Sequence, residues 1–299
     1  MSDIVIGILL AAGASACFNL ATVVQAGETR KVERSSSASL ALLGHLVRRK
    51  RWLAGVGVQV IAVPLQLAAL TFAPLAVVQP ADATGLVVLL IAGQRMLGEK
   101  ATWREAAAVG AILLGVVGVA LNGPAHSPDN AGALELVIVL APLTLLALSP
   151  YLIRRELPSN VMVLAAGTAF ALTAFLMKIL SDSLLNHAWG ALIIWGAAAA
   201  LIAVLGLSSE QSALQERPVA RVAPVIFVLE LALPIALGPI VGGEHWPTDP
   251  ATVALLLASL LLTIAGAFSL MRSGPVAAVL VAEQQAEAAP DDGSAATPG

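Results

Sequence analysis

Nine stretches of about 20 apolar residues follow one another along this chain, at roughly 4–26, 52–73, 75–97, 103–122, 131–152, 159–181, 188–208, 218–241 and 250–271. A helix rises about 1.5 Å per residue, so each block matches the ~30 Å hydrocarbon core of a bilayer. In lipid every backbone amide must find its partner within the chain, which excludes open strands and makes such blocks helices. Composition agrees, because 58% of the 299 residues are hydrophobic and only 12% are charged, with a mean hydropathy of +0.89. A soluble domain needs roughly twice that charged share to cover its surface. The expected fold class is all-α: a polytopic membrane protein of about nine transmembrane helices.

Local signals refine the blocks. Thr102 is placed to cap the fourth helix, Ser159 the sixth, and Asp249 followed by Pro250 reads as N-cap and first-turn proline of the ninth. The apolar segment Ser37 to Val47 is too short to span; it is expected at the interface, with a short tenth helix as the alternative. Met1-Ser2-Asp3 lacks the basic region and cleavage motif of a signal peptide, so the first block reads as a retained helix. Cys17 is the single cysteine, which rules out an internal disulfide or a CxxC site and leaves a small packing residue.

The basic residues fall on one side. If loop 27–51 is cytoplasmic, that side holds Arg30, Lys31, Arg34, Arg48, Arg49, Lys50, Arg51, Arg95, Lys100, Arg104, Arg154, Arg155, Arg217, Arg221 and Arg272. Of the 16 basic residues only Lys178 is left, and it sits inside a helix. The positive-inside rule then puts the N-terminus outside and the C-terminus in the cytoplasm, in what is expected to be the plasma membrane. The tail 272–299, above all Val281 to Gly299, is polar, acidic and small-residue-rich, and is expected to be disordered.

The chain also repeats itself. Leu10-Ala11-Ala12-Gly13 matches Leu164-Ala165-Ala166-Gly167, and Ala69-Leu70, Pro74, Ala76, Val78, Pro80 match Ala213-Leu214, Pro218, Ala220, Val222, Pro224. Gly98-Glu99 matches Gly243-Glu244, each pair followed by a tryptophan, Trp103 or Trp246. Repeat 1 then covers about 4–122 and repeat 2 about 159–271, with a linking helix at 131–152 between them. An odd number of crossings between the copies makes them inverted, an arrangement of secondary transporters in which the site lies between the copies near the midplane.

At these motifs, over residues 4–271, the chain resembles the drug/metabolite transporter (EamA-like) superfamily, and within it the NIPA-type branch named for magnesium transport. The resemblance is carried by Ala73-Pro74-Leu75-Ala76-Val77-Val78-Gln79-Pro80, by Glu99, 25 positions after Pro74, and by Glu244, 20 after Pro224. It implies nine helices with an outside N-terminus and a transported divalent cation. Where that branch carries a Gly-Glu pair and an asparagine in its second helix, this chain has Ile61 or Ala62, Val63 and Gln66; where it carries a glycine after the second proline, this chain has Asp82. An acid is lost from one helix and gained in the next, which alters the oxygen set on which Mg²⁺ selection depends.

No GxSxG, HExxH or P-loop is present, and the chain is not expected to be an enzyme or to hold a cofactor. The informative residues are polar groups within helices, because a charge at bilayer depth costs at least ~3 kcal/mol. Asp82 lies about 10 Å below the outer boundary at ~1.5 Å per residue. Gln79 shares its helix face, and Gln66 and Lys178 fall in the same outer third. These four outline an outward vestibule in which Asp82 and Lys178 could pair, either for binding or merely structurally. Glu230 sits near the middle of the eighth helix among Leu229, Leu231, Pro234 and Gly238, suited to a cation or proton or else to a structural hydrogen bond.

Asp82 and Glu230 are the metal candidates if a cation is bound. Asn19 joins the candidate binding set, although for Asn19 and Gln59 interhelical hydrogen bonding is the simpler reading. Glu99 and Glu244 read as caps of the next helices, and His126, His187 and His245 as loop residues. The leading expectation is a secondary transporter working by alternating access on a divalent cation or a small polar metabolite; the alternative is a non-transporting scaffold or accessory subunit. Expected partners are membrane lipid and that substrate, with a homodimer left open and no nucleic acid.

Overall fold

A computed structural model of the chain describes residues 2–32, 40–72, 75–99, 102–122, 133–153, 157–185, 187–241 and 247–271. Among them all regular structure is helical: α1 (Ser2–Thr29), α2 (Leu40–Leu46), α3 (Lys50–Phe72), α4 (Leu75–Ala83), α5 (Gly85–Leu97), α6 (Trp103–Asn122), α7 (Ala133–Leu152), α8 (Ser159–Leu185), α9 (Trp189–Glu216), α10 (Val219–Val241) and α11 (Pro250–Met271). The tail 272–299, Glu244, His126, His245 and Trp246 lie outside the described residues.

Among the described residues, five helices contain stretches long and apolar enough to cross a membrane: Asp3–Thr29, Trp103–Asn122, Ser159–Leu176, Trp189–Glu216 and Pro250–Leu270. Their outward faces carry Leu9, Leu114, Leu121, Ile193, Leu201 and Leu261, each more than 60% exposed. Water would not tolerate so much exposed aliphatic surface, whereas acyl chains cover it at no cost. Inside, the bundle is small and polar, with Ala11, Ala14, Ala165, Ala166, Gln25, Gln211 and Thr263 almost fully buried. The chain is an integral membrane protein.

The helices differ from the sequence blocks in three places. Block 75–97 is divided, because the Thr84 amide and hydroxyl both turn back to the Ala81 carbonyl, at 3.2 and 2.6 Å, tightening the chain there. Segment 37–47 supplies α2, whose Leu42, Leu43 and Leu46 pack with Trp52 and Leu207. Block 188–208 continues to Glu216, since Ser208-Ser209-Glu210-Gln211, a polar run at and beyond the end of that block, is buried within the bundle.

Thr102 does cap α6: the Glu105 amide donates to its hydroxyl at 3.3 Å while Glu105 Oε2 accepts the Thr102 amide at 2.8 Å, a capping box. Asp249 caps α11 through the Thr252 amide at 2.9 Å. That bond, with a second from the Thr252 hydroxyl, holds the Asp249 carboxyl below the usual carboxylate range. Ser159 opens α8, and its hydroxyl accepts the Arg217 guanidinium at 2.6 Å.

Packing is by close approach of small residues. α1 lies on α3, α4 and α5; α8 lies on α7, α9 and α10; α6 lies along α11. A Cβ added at Gly85 would come within 2.5 Å of Asn19 Nδ2, and one at Gly266 within 2.7 Å of the Ala108 carbonyl. Only glycine allows these crossings. The two proline junctions are alike: α3 ends two residues before Pro74 and α4 starts one after it, as α9 ends two before Pro218 and α10 starts one after.

Candidate functional site

The break between α4 and α5 frees backbone groups at Asp82. Its carbonyl accepts the Ser15 hydroxyl of α1, and Asn19 Nδ2 donates one turn back to the Ser15 carbonyl at 2.9 Å. The described bonds of Asn19 are therefore within its own helix, beside Gly85, rather than between helices. Gln66 Nε2 of α3 donates to Asp82 Oδ2 at 2.6 Å. Beside that bond, Asp82 Oδ1 and Gln66 Oε1 are both buried acceptors without a partner among the described residues. A buried acceptor of this kind is completed by a donor or a cation. The side chains of Gln79 and Lys178, expected at the same level, lie outside the described residues, as does any Lys178–Asp82 pair.

Glu230 lies on α10 between the buried Val228 and Leu231 and next to Leu229, which packs against Gly167 of α8. Glu230 itself is exposed. Glu210 on α9 is a further acid within a helix. Glu210, only 5% exposed, was missed in the sequence because the apparent end of its helix placed it outside the membrane. The apolar Ala213-Leu214 that resumes after it was the available signal. Asp82 and Glu230 are thus not the only acids within the helices. Among the described residues, no three His, Cys, Asp or Glu come together as a metal site.

A second polar set joins α1, α3 and α9 near their basic ends. Gln25 Nε2 donates to Gln59 Oε1 at 2.9 Å, Gln211 Nε2 to Gln25 Oε1 at 3.1 Å, and the Thr29 hydroxyl to Gln211 Oε1 at 2.5 Å. Gln59 therefore has the interhelical role expected of it. Glu28 pairs with Lys31 at 2.6 Å and Arg49 at 3.2 Å. Arg30 pairs with Glu99 at 2.5 Å, and Glu105 pairs with Arg221.

Glu99 does cap a helix, but not the next one: Glu99 Oε1 accepts the Val219 amide at 2.9 Å, at the start of α10. A spatial neighbour 120 residues away won over the sequence neighbour. Burial, and then the charge of Arg221, push the nearby Arg217 below the usual arginine value. His187 is exposed in its loop, with its ring 6.2 Å from Trp189.

An apolar cleft of about 350 Å³ opens between α8, α10 and α11, lined by residues such as Leu164, Val228, Leu229, Leu260 and Phe268. It offers no polar contact for a charged solute, and the acids above do not line it.

The chain matches no family model and no solved structure. Over 287 residues it is 24% identical to an uncharacterized protein of Corynebacterium glutamicum, across 93% of this chain and 99% of that protein. The likeness runs the length of both chains and brings no activity with it.

Proposed function

We propose that the protein is a secondary transporter of the drug/metabolite transporter type, working by alternating access on a divalent cation or a small polar metabolite. The observation that carries this reading is the Gln66–Asp82 hydrogen bond at 2.6 Å inside the bundle, beside which Asp82 Oδ1 is buried without a partner among the described residues, while Glu230 of α10 places a second acid within the helices. Acids within membrane helices mark ion and substrate paths, because their insertion is costly and a purely structural bundle has no need of them.

Three features support the inverted repeat behind that mechanism. The proline junctions at Pro74 and Pro218 break the helices at matching positions. α1 on α3 and α5 is echoed by α8 on α9 and α10, and α4 on α6 by α10 on α11. The basic residues favour an outside N-terminus and a cytoplasmic C-terminus in the cell membrane. The tightened turn at Thr84 between α4 and α5, where the Asp82 carbonyl accepts the Ser15 hydroxyl of α1, supports a site on this segment.

Flux in proteoliposomes tests the reading, with Mg²⁺ and a panel of small polar metabolites as probes. Asp82→Asn and Glu230→Gln should each abolish flux without lowering the melting temperature. If both carboxylates were only structural, Asp82→Asn together with Lys178→Met would be neutral or stabilising and flux would survive. Flux retained in both single variants would leave only a folding role for these residues.

A further inference from the structure

We propose that the cleft between α8, α10 and α11 is a lipid site, which seats one acyl chain of a phospholipid from the leaflet at the basic end of the bundle.

The lining decides the class of ligand. Every residue around the cleft is aliphatic except Phe268, and Glu230, although next to Leu229 in sequence, is not among them. Such a space rejects ions and accepts hydrocarbon. An apolar cavity of ~150 Å³ takes up a benzene ring, and at ~30 Å³ per methylene-sized group a volume of about 350 Å³ holds a chain of about ten. Small residues keep it open: Ala232 of α10 and Ala267 of α11 stand in the lining, where longer side chains would fill it.

The opening decides where the hydrocarbon comes from. Ile264 and Phe268 line the cleft and are also 49% and 53% exposed. With Leu257 and Leu261 they form one exposed stripe along α11, at spacings of four, three and four residues. That helix is long and apolar enough to cross a membrane, so its exposed stripe faces acyl chains. The cleft is therefore continuous with the surface that the bilayer covers, and a chain enters it sideways without leaving hydrocarbon. An empty cleft would forfeit the dispersion contacts that a tail supplies.

Helix ends decide the leaflet. Leu164 lies five residues after the start of α8 at Ser159, Val225 six after the start of α10 at Val219, and Phe268 three before the end of α11 at Met271. Arg217, just before α10, holds Ser159, and Arg221 holds Glu105 at the start of α6. α11 runs antiparallel to α6, with Gly266 against Ala108 and Ser259 against Gly115, so its end meets the start of α6. All three helices thus present the near edge of the cleft to the basic end. From Val225 to Leu233 the lining of α10 extends about 12 Å at ~1.5 Å per residue, most of the ~15 Å that one leaflet contributes to a ~30 Å core. The cleft has the depth of one tail.

Photo-labelling of the full chain tests this. The protein is held in detergent micelles with a few molecules per chain of a phosphatidylcholine bearing a diazirine on one tail, irradiated, and read by peptide mass spectrometry. Peptides of α10 and α11 that line the cleft should be labelled at least roughly fivefold more than the α9 peptides holding Ile193 and Leu201, which are 73% and 67%-or-less exposed lipid-facing positions outside it. A diazirine near the carboxyl end of the tail should mark the region of Phe268 and Val225, and one near the methyl end that of Leu233 and Leu260. Ala232→Phe, or the milder Ala232→Leu, should remove most of the cleft labelling and leave α9 unchanged. In the wild type, unlabelled dioleoyl phosphatidylcholine should compete and tail-less glycerophosphocholine should not. Equal labelling of α9 and the cleft, reversed order of the two diazirines, or competition by glycerophosphocholine overturns the proposal. So does efficient disulfide dimerisation of Ile264→Cys in a Cys17→Ser background in liposomes, which assigns the cleft to a second copy of the chain.

Discussion

Arg30 and Glu99 form an ion pair at 2.5 Å in which the same carboxylate oxygen accepts the Val219 amide at 2.9 Å. Arg30 also donates to the Leu214 and Arg217 carbonyls, at 3.2 and 3.1 Å. One pair therefore joins the end of α1, the end of α5 and the α9–α10 junction, closing the basic end of the bundle across the two halves of the chain.

Glu99→Ala removes the pair and the cap together, leaving Arg30 and the first α10 amides partly unsatisfied. The Glu99 side chain is 8% exposed and that of Arg30 22%, so the loss should be on the order of 2–3 kcal/mol, less than for a fully buried pair. Glu99→Gln, which keeps a capping oxygen, should lose about half as much. Melting of the purified protein in detergent measures both; an unchanged Glu99→Ala would mean the contact carries no stability.

Gln211 stands at the centre of the polar set, meeting Gln25, Thr29 and, at 3.4 Å, the Trp52 indole. Gln211→Leu should destabilise by about 1–2 kcal/mol, the upper range for hydrogen bonds between membrane helices. The double variant with Gln25→Leu should cost less than the sum of the two singles, because each single strands the other partner. Strict additivity in a double-mutant cycle would show that the two glutamines do not act together.

Two glycines of α6 make a paired test. A Cβ at Gly115 would lie 2.7 Å from the Ser259 carbonyl and 2.9 Å from the Thr263 amide of α11, whereas one at Gly110 meets nothing within 4 Å. Gly115→Ala should therefore destabilise by about 1–3 kcal/mol through forced separation of the helices. Gly110→Ala should be neutral or slightly stabilising. Equal melting of the two variants would contradict the close α6–α11 crossing.

Topology is accessible by labelling. In a Cys17→Ser background, Ser36→Cys should react only from the cytoplasmic side and Ser127→Cys only from outside, judged with a membrane-impermeant maleimide on intact cells and inverted vesicles. Reaction of both from one side would overturn the nine-crossing arrangement.

Much of this protein is determined by local sequence, because block length, end caps and proline breaks act within a few residues. Thr102 and Asp249 cap where expected, the Pro74 and Pro218 junctions fall between helices, and Gln66, placed in the same outer third as Asp82, hydrogen-bonds to it, although the partner named from the sequence was Lys178. The tertiary structure alone decided which polar groups meet across long separations. Glu99 caps α10 rather than α6, Gln211 closes on Gln25, and Glu210 lies inside the bundle rather than beyond a helix end. The physical reason is that lipid and protein interior are both apolar: hydropathy tells a spanning helix from a loop, but it does not tell a polar residue leaving the membrane from one turned toward a partner more than a hundred residues away.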